Sequence, residues 1–302
     1  MEILVGYTGF VGGNILEKHT FDSLYNSKNI IEAFDTHPDL LVYSGVPAEM
    51  FLANSNPSAD LAVCENAARN ICKIAPKRVV LISSIAVLDN TDGTDEDYTV
   101  NVTKLKAYGA NRYHLEKLVQ QSISDCHIIR LPALFGKGLK KNFIYDIINF
   151  VPAMLKTNKY IEFSAKEPLI GKSYTPLENG FHKLKENSLE LKEAFSRVGF
   201  SALNFTDSRS VFQFYNLANL WQDIEIMLRN NIPLLHLATE PLSASEVYTY
   251  VTGKKFINET ANPYNYNYCT KYANLFGREN GYLYDKEKVL KEIKEFVERS
   301  YL

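Results

Sequence analysis

Glu2-Ile3-Leu4-Val5-Gly6-Tyr7-Thr8-Gly9-Phe10-Val11-Gly12 is the stretch that decides the fold. An apolar run ends in glycine, two more glycines follow at GxxGxxG spacing, and an apolar helix pattern through Val11, Ile15 and Leu16 begins at once. Such a strand-to-helix turn needs glycine for three reasons: the turn is tight, a pyrophosphate approaches the backbone, and helix packs closely on sheet. The opening turn of the helix then offers unpaired N–H groups and a partial positive charge to the phosphates. Three glycines also occur in turns for steric reasons alone. The motif takes its weight from its place, directly after a strand and opening a helix.

Outward from this turn, short apolar runs predict strands at Ser23-Leu24-Tyr25, 39–44, 78–84 and 126–131, with helices near 58–75 and 104–122 between them. Strand and helix alternate with little else, the pattern of βαβ units. The expected fold class is α/β, a Rossmann-type doubly wound parallel sheet with a smaller C-terminal substrate-binding lobe. After Pro132 the rhythm breaks: 137–210 is rich in Lys and Asn and irregular. A helix near Leu217–Arg229 and a strand at Leu234–Ala238 restore it, and 285–298 reads as an amphipathic helix. The expected division is therefore a dinucleotide-binding domain over 1–136 plus about 211–240, and a smaller lobe over 137–210 and 241–302.

Composition narrows the function. The 302 residues carry 33 Lys+Arg against 35 Asp+Glu, so no basic surplus exists to neutralise nucleic-acid phosphates. Six histidines form no HxxH or HExxH pattern, and four scattered cysteines form no CxxC, so neither a metal site nor a disulfide framework is expected. The cysteines read as reduced thiols. GxSxG and GK[ST] are absent, which removes the usual hydrolase elbow and the P-loop. No 18-residue apolar run occurs, and the chain opens on a strand pattern; a cytoplasmic protein without membrane association is expected.

The GxxGFVG opening resembles the extended short-chain dehydrogenase/reductases, the NAD-dependent epimerase/dehydratase family that works on nucleotide sugars, with Val5-Gly6 where Thr-Gly is usual. The resemblance continues in Ile82-Ser83-Ser84-Ile85-Ala86-Val87-Leu88, where Ser84 falls on the catalytic Ser/Thr position. It continues again in Tyr108-Gly109-Ala110-Asn111-Arg112-Tyr113-His114-Leu115-Glu116-Lys117, similar to YGxSKxxxEK. Two tyrosines compete there. Tyr113 with Lys117 gives a literal YxxxK. Tyr108 with Arg112 gives YxxxR, but matches the Tyr-Gly, the following Glu116 and a 24-residue distance from Ser84, against 29 for Tyr113. Tyr108 and Arg112 are taken as the pair.

The chemistry implied is proton exchange by a tyrosine whose ordinary pKa is near 10. A cation one helical turn away shares its face and would lower that value. Arginine supplies charge and donors to a nicotinamide ribose, but it is planar and cannot relay a proton. Ser84 would bind the reacting oxygen. Ile85-Ala86 stands where dehydrating members carry Asp-Glu, which argues against elimination of water.

For the cofactor, the family resemblance points to Gly6, Gly9, Phe10, Val11 and Gly12 at the pyrophosphate. Ser44-Gly45-Val46 matches the small-residue turn after the next strand, and Pro132 lies in the segment that passes the nicotinamide, beside Tyr108 and Arg112. At the end of the second strand Asn26-Ser27-Lys28 offers no carboxylate to the adenine ribose, which favours NADP over NAD. A later strand end would instead give that role to Glu32 or Asp35, and NAD. The run from Gly136 to Phe143 resembles a G-x-NF turn in which Asn142 helps hold a nucleotide diphosphate, with Lys140 and Lys141 adding charge; a solvated lysine loop accounts for the same lysines. The resemblance covers Met1 to about Gly253. It implies an NAD(P)-dependent epimerase or reductase acting on a nucleotide-activated sugar, with Ser84, Tyr108 and Arg112 at its centre and a homodimer as the family's usual assembly. Arg in place of Lys, and missing aspartates near residue 217, support an alternative: a catalytically impaired dinucleotide-binding sensor or scaffold.

Overall fold

A computed structural model describes residues 1–260 and 262–300. Ala261, Tyr301 and Leu302 of the expected lobe lie outside the described residues. In chain order the elements are β1 (Glu2–Val5), α1 (Phe10–Leu16), β2 (Ser23–Tyr25), β3 (Leu40–Tyr43), α2 (Met50–Ser55), α3 (Pro57–Ile74), β4 (Val79–Ser84), α4 (Ala107–Ser122), β5 (Cys126–Leu131) and β6 (Ala133–Phe135). Then come α5 (Phe143–Ile148), β7 (Met154–Lys156), α6 (Thr157–Lys166), α7 (Pro168–Ser173), β8 (Tyr174–Pro176), β9 (Phe181–Leu184), α8 (Leu189–Arg197), β10 (Val211–Phe212) and β11 (Phe214–Asn216). The chain ends with α9 (Leu220–Arg229), β12 (Leu234–His236), β13 (Leu242–Ser243), α10 (Ala244–Thr252) and α11 (Lys286–Arg299).

Six strands form a parallel sheet in the order β12-β5-β4-β3-β1-β2. Its strands are near-continuous apolar runs because both faces are covered. The pleat sends alternate residues to opposite sides. Leu4, Val42, Val80 and Ile129 face one core with Ile15 of α1 and Trp221, Ile224 and Met227 of α9. Ile3, Val5, Leu41, Tyr43, Val79, Leu81 and Ile128 face the other, against Cys64 and Ile71 of α3 and Leu115 and Val119 of α4. α3 begins where Pro57 takes the first helical position behind an Asn56 cap, and ends where Ala75 turns left-handed (φ +51°) before Pro76. Of the two cysteines on that helix, Cys64 is buried and Cys72 exposed. No disulfide joins the cysteines, and no described helix is long and apolar enough to cross a membrane.

The chain divides into two compact units, the first made of Met1–Leu139, Phe212–Leu242 and Asn265–Val289. The expected division leaves 265–289 to the smaller lobe, whereas this segment hydrogen-bonds to the loop after β4: Gly93 N–H donates to Asn267 O (2.7 Å) and Cys269 N–H to Thr94 O (2.7 Å). Polar loops of this kind have no periodicity to betray their partners. The second unit holds an antiparallel sheet in the order β7-β9-β8. Leu155, Phe163, Ile170, Tyr174, Leu191 and Phe195 form its own core.

Candidate active site

β1 is flanked by β2 on one side and β3 on the other, so the sheet order reverses there. Ligands of open α/β sheets bind outside the carboxyl ends of the strands at such a switch point. Gly6 leaves β1 at that point with φ +92°, and a Cβ on it would stand 2.7 Å from the Ser44 carbonyl. A Cβ on Gly12 would collide with the Gly6 carbonyl and lie 2.7 Å from Ser44 Oγ. Ser44 holds its own place by donating its hydroxyl to Val5 O (2.9 Å). Two of the three glycines are therefore required by the turn itself, and both are buried. Gly9 differs. It is exposed, and an added Cβ would meet only Gly6 O, at 3.2 Å. Gly9 is also the N-cap of α1, supplying no side chain to the first-turn N–H groups of Phe10, Val11 and Gly12, and no acidic residue lies in that turn. An exposed glycine and uncapped donors fit a pyrophosphate.

Asn14 escaped the sequence reading. It is buried, its Nδ2 donates to Phe10 O (2.7 Å) and Lys137 O (2.9 Å), and its Oδ1 accepts from Lys137 N–H (3.1 Å). It thereby ties α1 to the loop after β6. The available signal was a polar residue beside Ile15 on the apolar face of a short helix.

β2 ends at Tyr25, whose carbonyl accepts from Gly6 N–H (2.7 Å). Asn26 follows, its Oδ1 accepting from Lys28 N–H (2.9 Å). Ser27 and Lys28 are exposed. Glu32 sits further on, in a 3-10 turn over Ile30–Ala33, and Asp35 N–H is bound to Lys73 O (2.7 Å).

β4 runs three residues beyond its register with β3 and ends at Ser84, where Ser84 Oγ accepts from Ala86 N–H (3.2 Å). The helix α4 approaches this point as closely as a helix can: a Cβ on Gly109 would collide with the Ala86 carbonyl. That contact explains the Tyr-Gly pair, because Tyr108 is brought beside the strand end only if its neighbour lacks a side chain. Tyr108 is buried, and its N–H donates to Asn54 Oδ1 of α2 (3.0 Å). Its phenol lies within hydrogen-bonding reach of the Ser84 hydroxyl.

Arg112 is 4% exposed and its Cζ stands over the Tyr108 ring, 3.8 Å from the centroid. Its Nη1 donates to Asp60 Oδ2 (2.5 Å) and its Nη2 to Pro47 O (2.7 Å). The arginine charge does pull the Tyr108 phenol downward, as does the Ser84 hydrogen bond, but burial outweighs both and raises it above the usual tyrosine value. The expected depression is thus reversed in the protein alone, because a buried phenolate loses its water. The structure brings Ser84, Tyr108 and Arg112 together. Tyr113 packs instead with Val87, Leu88 and Val100, and Lys117 is exposed, 5.0 Å over the Tyr113 ring.

A second network, unseen in the sequence, fixes α4. Glu116 is 1% exposed; its Oε1 accepts from Ser83 Oγ (2.6 Å) and Arg130 Nε (3.0 Å), and its Oε2 from Arg130 Nη2 (2.6 Å). Arg130 Nη1 reaches His236 Nε2 (3.2 Å), and His236 Nδ1 faces Cys269 O (3.1 Å). Only a neutral imidazole protonated at Nδ1 satisfies both contacts. Burial and the Arg130 charge accordingly push His236 down to about 3.

Pro132 is half-buried between β5 and β6, and Gly45 and Val46 follow β3 at the same edge of the sheet as Gly6. Lys140 and Lys141 are exposed residues of the second unit. Asn142 caps α5, accepting from Ile144 N–H (3.0 Å) and Tyr145 N–H (3.2 Å). Among the described residues no three His, Cys, Asp or Glu side chains could hold a metal ion.

Residues 16–161 match the family described as RmlD substrate binding domain. No curated protein matches the chain. Among solved structures, dTDP-4-dehydrorhamnose reductase from Bacillus anthracis in complex with NADP superposes with a TM-score of 0.62 at 16% identity, over 99% of this chain and 98% of that one. MoeE5 in complex with UDP-glucose and NAD gives 0.62 at 13% identity, over 100% and 99%. UDP-N-acetylglucosamine 4-epimerase from Methanobrevibacter ruminantium, in complex with UDP-N-acetylmuramic acid, gives 0.60 at 10% identity, over 98% and 96%. At these identities the superpositions speak for the fold, which is that of nucleotide-sugar reductases and epimerases. By its matched segment and its fold, the chain is similar to the extended short-chain dehydrogenase/reductases.

Proposed function

We propose that this protein binds NADP(H) and reduces a carbonyl on a nucleotide-activated sugar. The observation that carries the proposal is the Ser84–Tyr108 pair, held at the carboxyl edge of the sheet that also presents the uncapped, glycine-lined start of α1. Of the three structural relatives named above, one holds NADP and one NAD, and two hold UDP-sugars. The absence of a carboxylate at Asn26-Ser27-Lys28, directly after β2, favours the 2′-phosphate of NADP.

When bound, the dinucleotide supplies the hydride. Tyr108 gives its phenolic proton to the substrate carbonyl oxygen, which becomes the hydroxyl, and Ser84 donates a hydrogen bond to the same oxygen. The phenolate left behind is stabilised by the Arg112 charge. A buried phenol that keeps its proton suits this direction, since reduction starts from the neutral acid. Epimerisation asks the same residue to begin as the base. Lys140 and Asn142, and the surrounding second unit, are assigned to the nucleotide diphosphate on the family pattern alone.

The second reading is a dinucleotide-binding protein without turnover. It is favoured by the commitment of Arg112 to Asp60 and Pro47. Turnover separates the two: wild-type protein and Tyr108→Phe are each incubated with NADPH and a panel of dTDP-, UDP- and GDP-linked keto-sugars, and cofactor oxidation is followed. Oxidation by the wild type that Tyr108→Phe loses supports the reductase. Tight NADPH binding with no oxidation on any sugar supports the second reading.

A further inference from the structure

The side chain that holds Arg112 belongs to a different helix and carries a full opposite charge. Asp60 sits in the first turn of α3, where the helix dipole favours a carboxylate. Its Oδ2 accepts from both Arg112 Nη1 (2.5 Å) and Asn111 Nδ2 (2.8 Å), and Asn111 Nδ2 also donates to Pro57 O (3.0 Å). Asp60 is 11% exposed at the side chain and Arg112 4%, so the pair is shielded from water. The guanidinium is thereby kept against the face of the Tyr108 ring.

We infer that Asp60 is a positioning residue for this site: it pins Arg112 beneath the Tyr108 ring and offsets part of the positive charge that a basic partner at this position would otherwise present to the phenol. The site is thereby set to give a proton rather than take one. The inference deepens the reductase reading and rests on it for its meaning, though not for its test. The charged groups acting on Tyr108 are Arg112 on its own helix and Asp60 on α3, while Ser84 on β4 and Asn54 on α2 are neutral. One turn along α3, burial pushes the Cys64 thiol up to about 11, and Glu65 lies 3.9 Å from His114 near the surface. Neither adds a second counter-charge to Arg112.

The test uses the full chain without cofactor. A fluorinated tyrosine, whose phenol titrates nearer neutrality, is incorporated at position 108 and its titration is followed by fluorine NMR. In Asp60→Asn the unopposed Arg112 should lower the midpoint by about one unit. In Arg112→Met the unopposed Asp60 should raise it. The double variant Asp60→Asn/Arg112→Met should titrate below Arg112→Met, between it and the parent. If Asp60→Asn does not fold, the return of the double variant from the raised Arg112→Met value carries the same test. A midpoint that ignores Asp60→Asn, or a double variant that stays with Arg112→Met, overturns the inference. No turnover enters the measurement, so a loss of the reductase reading leaves this result standing, and the converse holds.

Discussion

Gly109→Ala is a substitution that helix propensity recommends and this structure forbids. In an unconstrained helix interior, alanine stabilises by about 1 kcal/mol over glycine. Here the added methyl would collide with the Ala86 backbone carbonyl, which no rotamer change can relieve. Restoring contact distance requires α4 to retreat from the end of β4 by about 1 Å, a displacement that costs roughly a hundredfold in rate when it separates catalytic groups. Overpacking against well-packed surroundings costs about 1–3 kcal/mol, and a rigid backbone partner puts this case at the upper end. After the propensity gain, the expected net loss is about 2 kcal/mol. Urea denaturation of wild type and variant measures it, and fluorine NMR of a labelled Tyr108 reports the shift of its surroundings. A Gly109→Ala protein as stable as the wild type, with an unaltered Tyr108 signal, would refute the claimed close approach and the account of the Tyr-Gly pair.

Glu116→Gln leaves Arg130 buried without its counter-charge and should destabilise by about 3–5 kcal/mol; pairing it with Arg130→Met should recover most of the loss in denaturant titrations. Asp146, half-buried on α5, is pushed up to about 7 by burial. Its native carboxyl therefore holds a proton across a window in which the unfolded one, near 4, has lost it. The linkage sign follows: stability is fullest below about pH 4, falls as pH rises, and is lowest above about pH 7. Asp146→Asn should accordingly be the more stable protein at about pH 8, with the difference vanishing near pH 4, as read by denaturation at both values. Asn26→Asp places a carboxylate at the end of β2, so competitive titration should show preference moving from NADPH toward NADH.

Much of this was written locally in the chain. The three glycines, the β2 end at Tyr25 and the apolar strands announce themselves because each depends on its immediate neighbours or on a period of two. The same holds for Ser84 and Tyr108, which sit at fixed places in recognisable segments. The partners that govern the site are not local. Asp60 meets Arg112 across 52 positions, and His236 meets Arg130 across 106. Charged residues at helix positions ordinarily read as solvated, and nothing in α3 distinguishes Asp60 from an exposed acid until α4 is laid against it. For the same reason a motif match led to a lowered Tyr108, while the burial that raises it is a property of the assembled core. Segment 265–289, with its polar and aromatic residues, joins the first unit through backbone hydrogen bonds that leave no trace in side-chain pattern.

The most direct test of the account is an equilibrium fluorescence titration of NADPH against wild type and Gly9→Val, with thermal unfolding of both recorded alongside. On the proposed reading Gly9 is the glycine that the turn needs least and the dinucleotide most: an added Cβ meets Gly6 O alone, at 3.2 Å, a tight contact that a shift of a few tenths of an ångström relieves, while its exposed side would face the pyrophosphate. The account predicts saturable binding by the wild type and none by a Gly9→Val protein that unfolds within a few degrees of it. Absence of binding by the wild type, or equal binding by both, would contradict it.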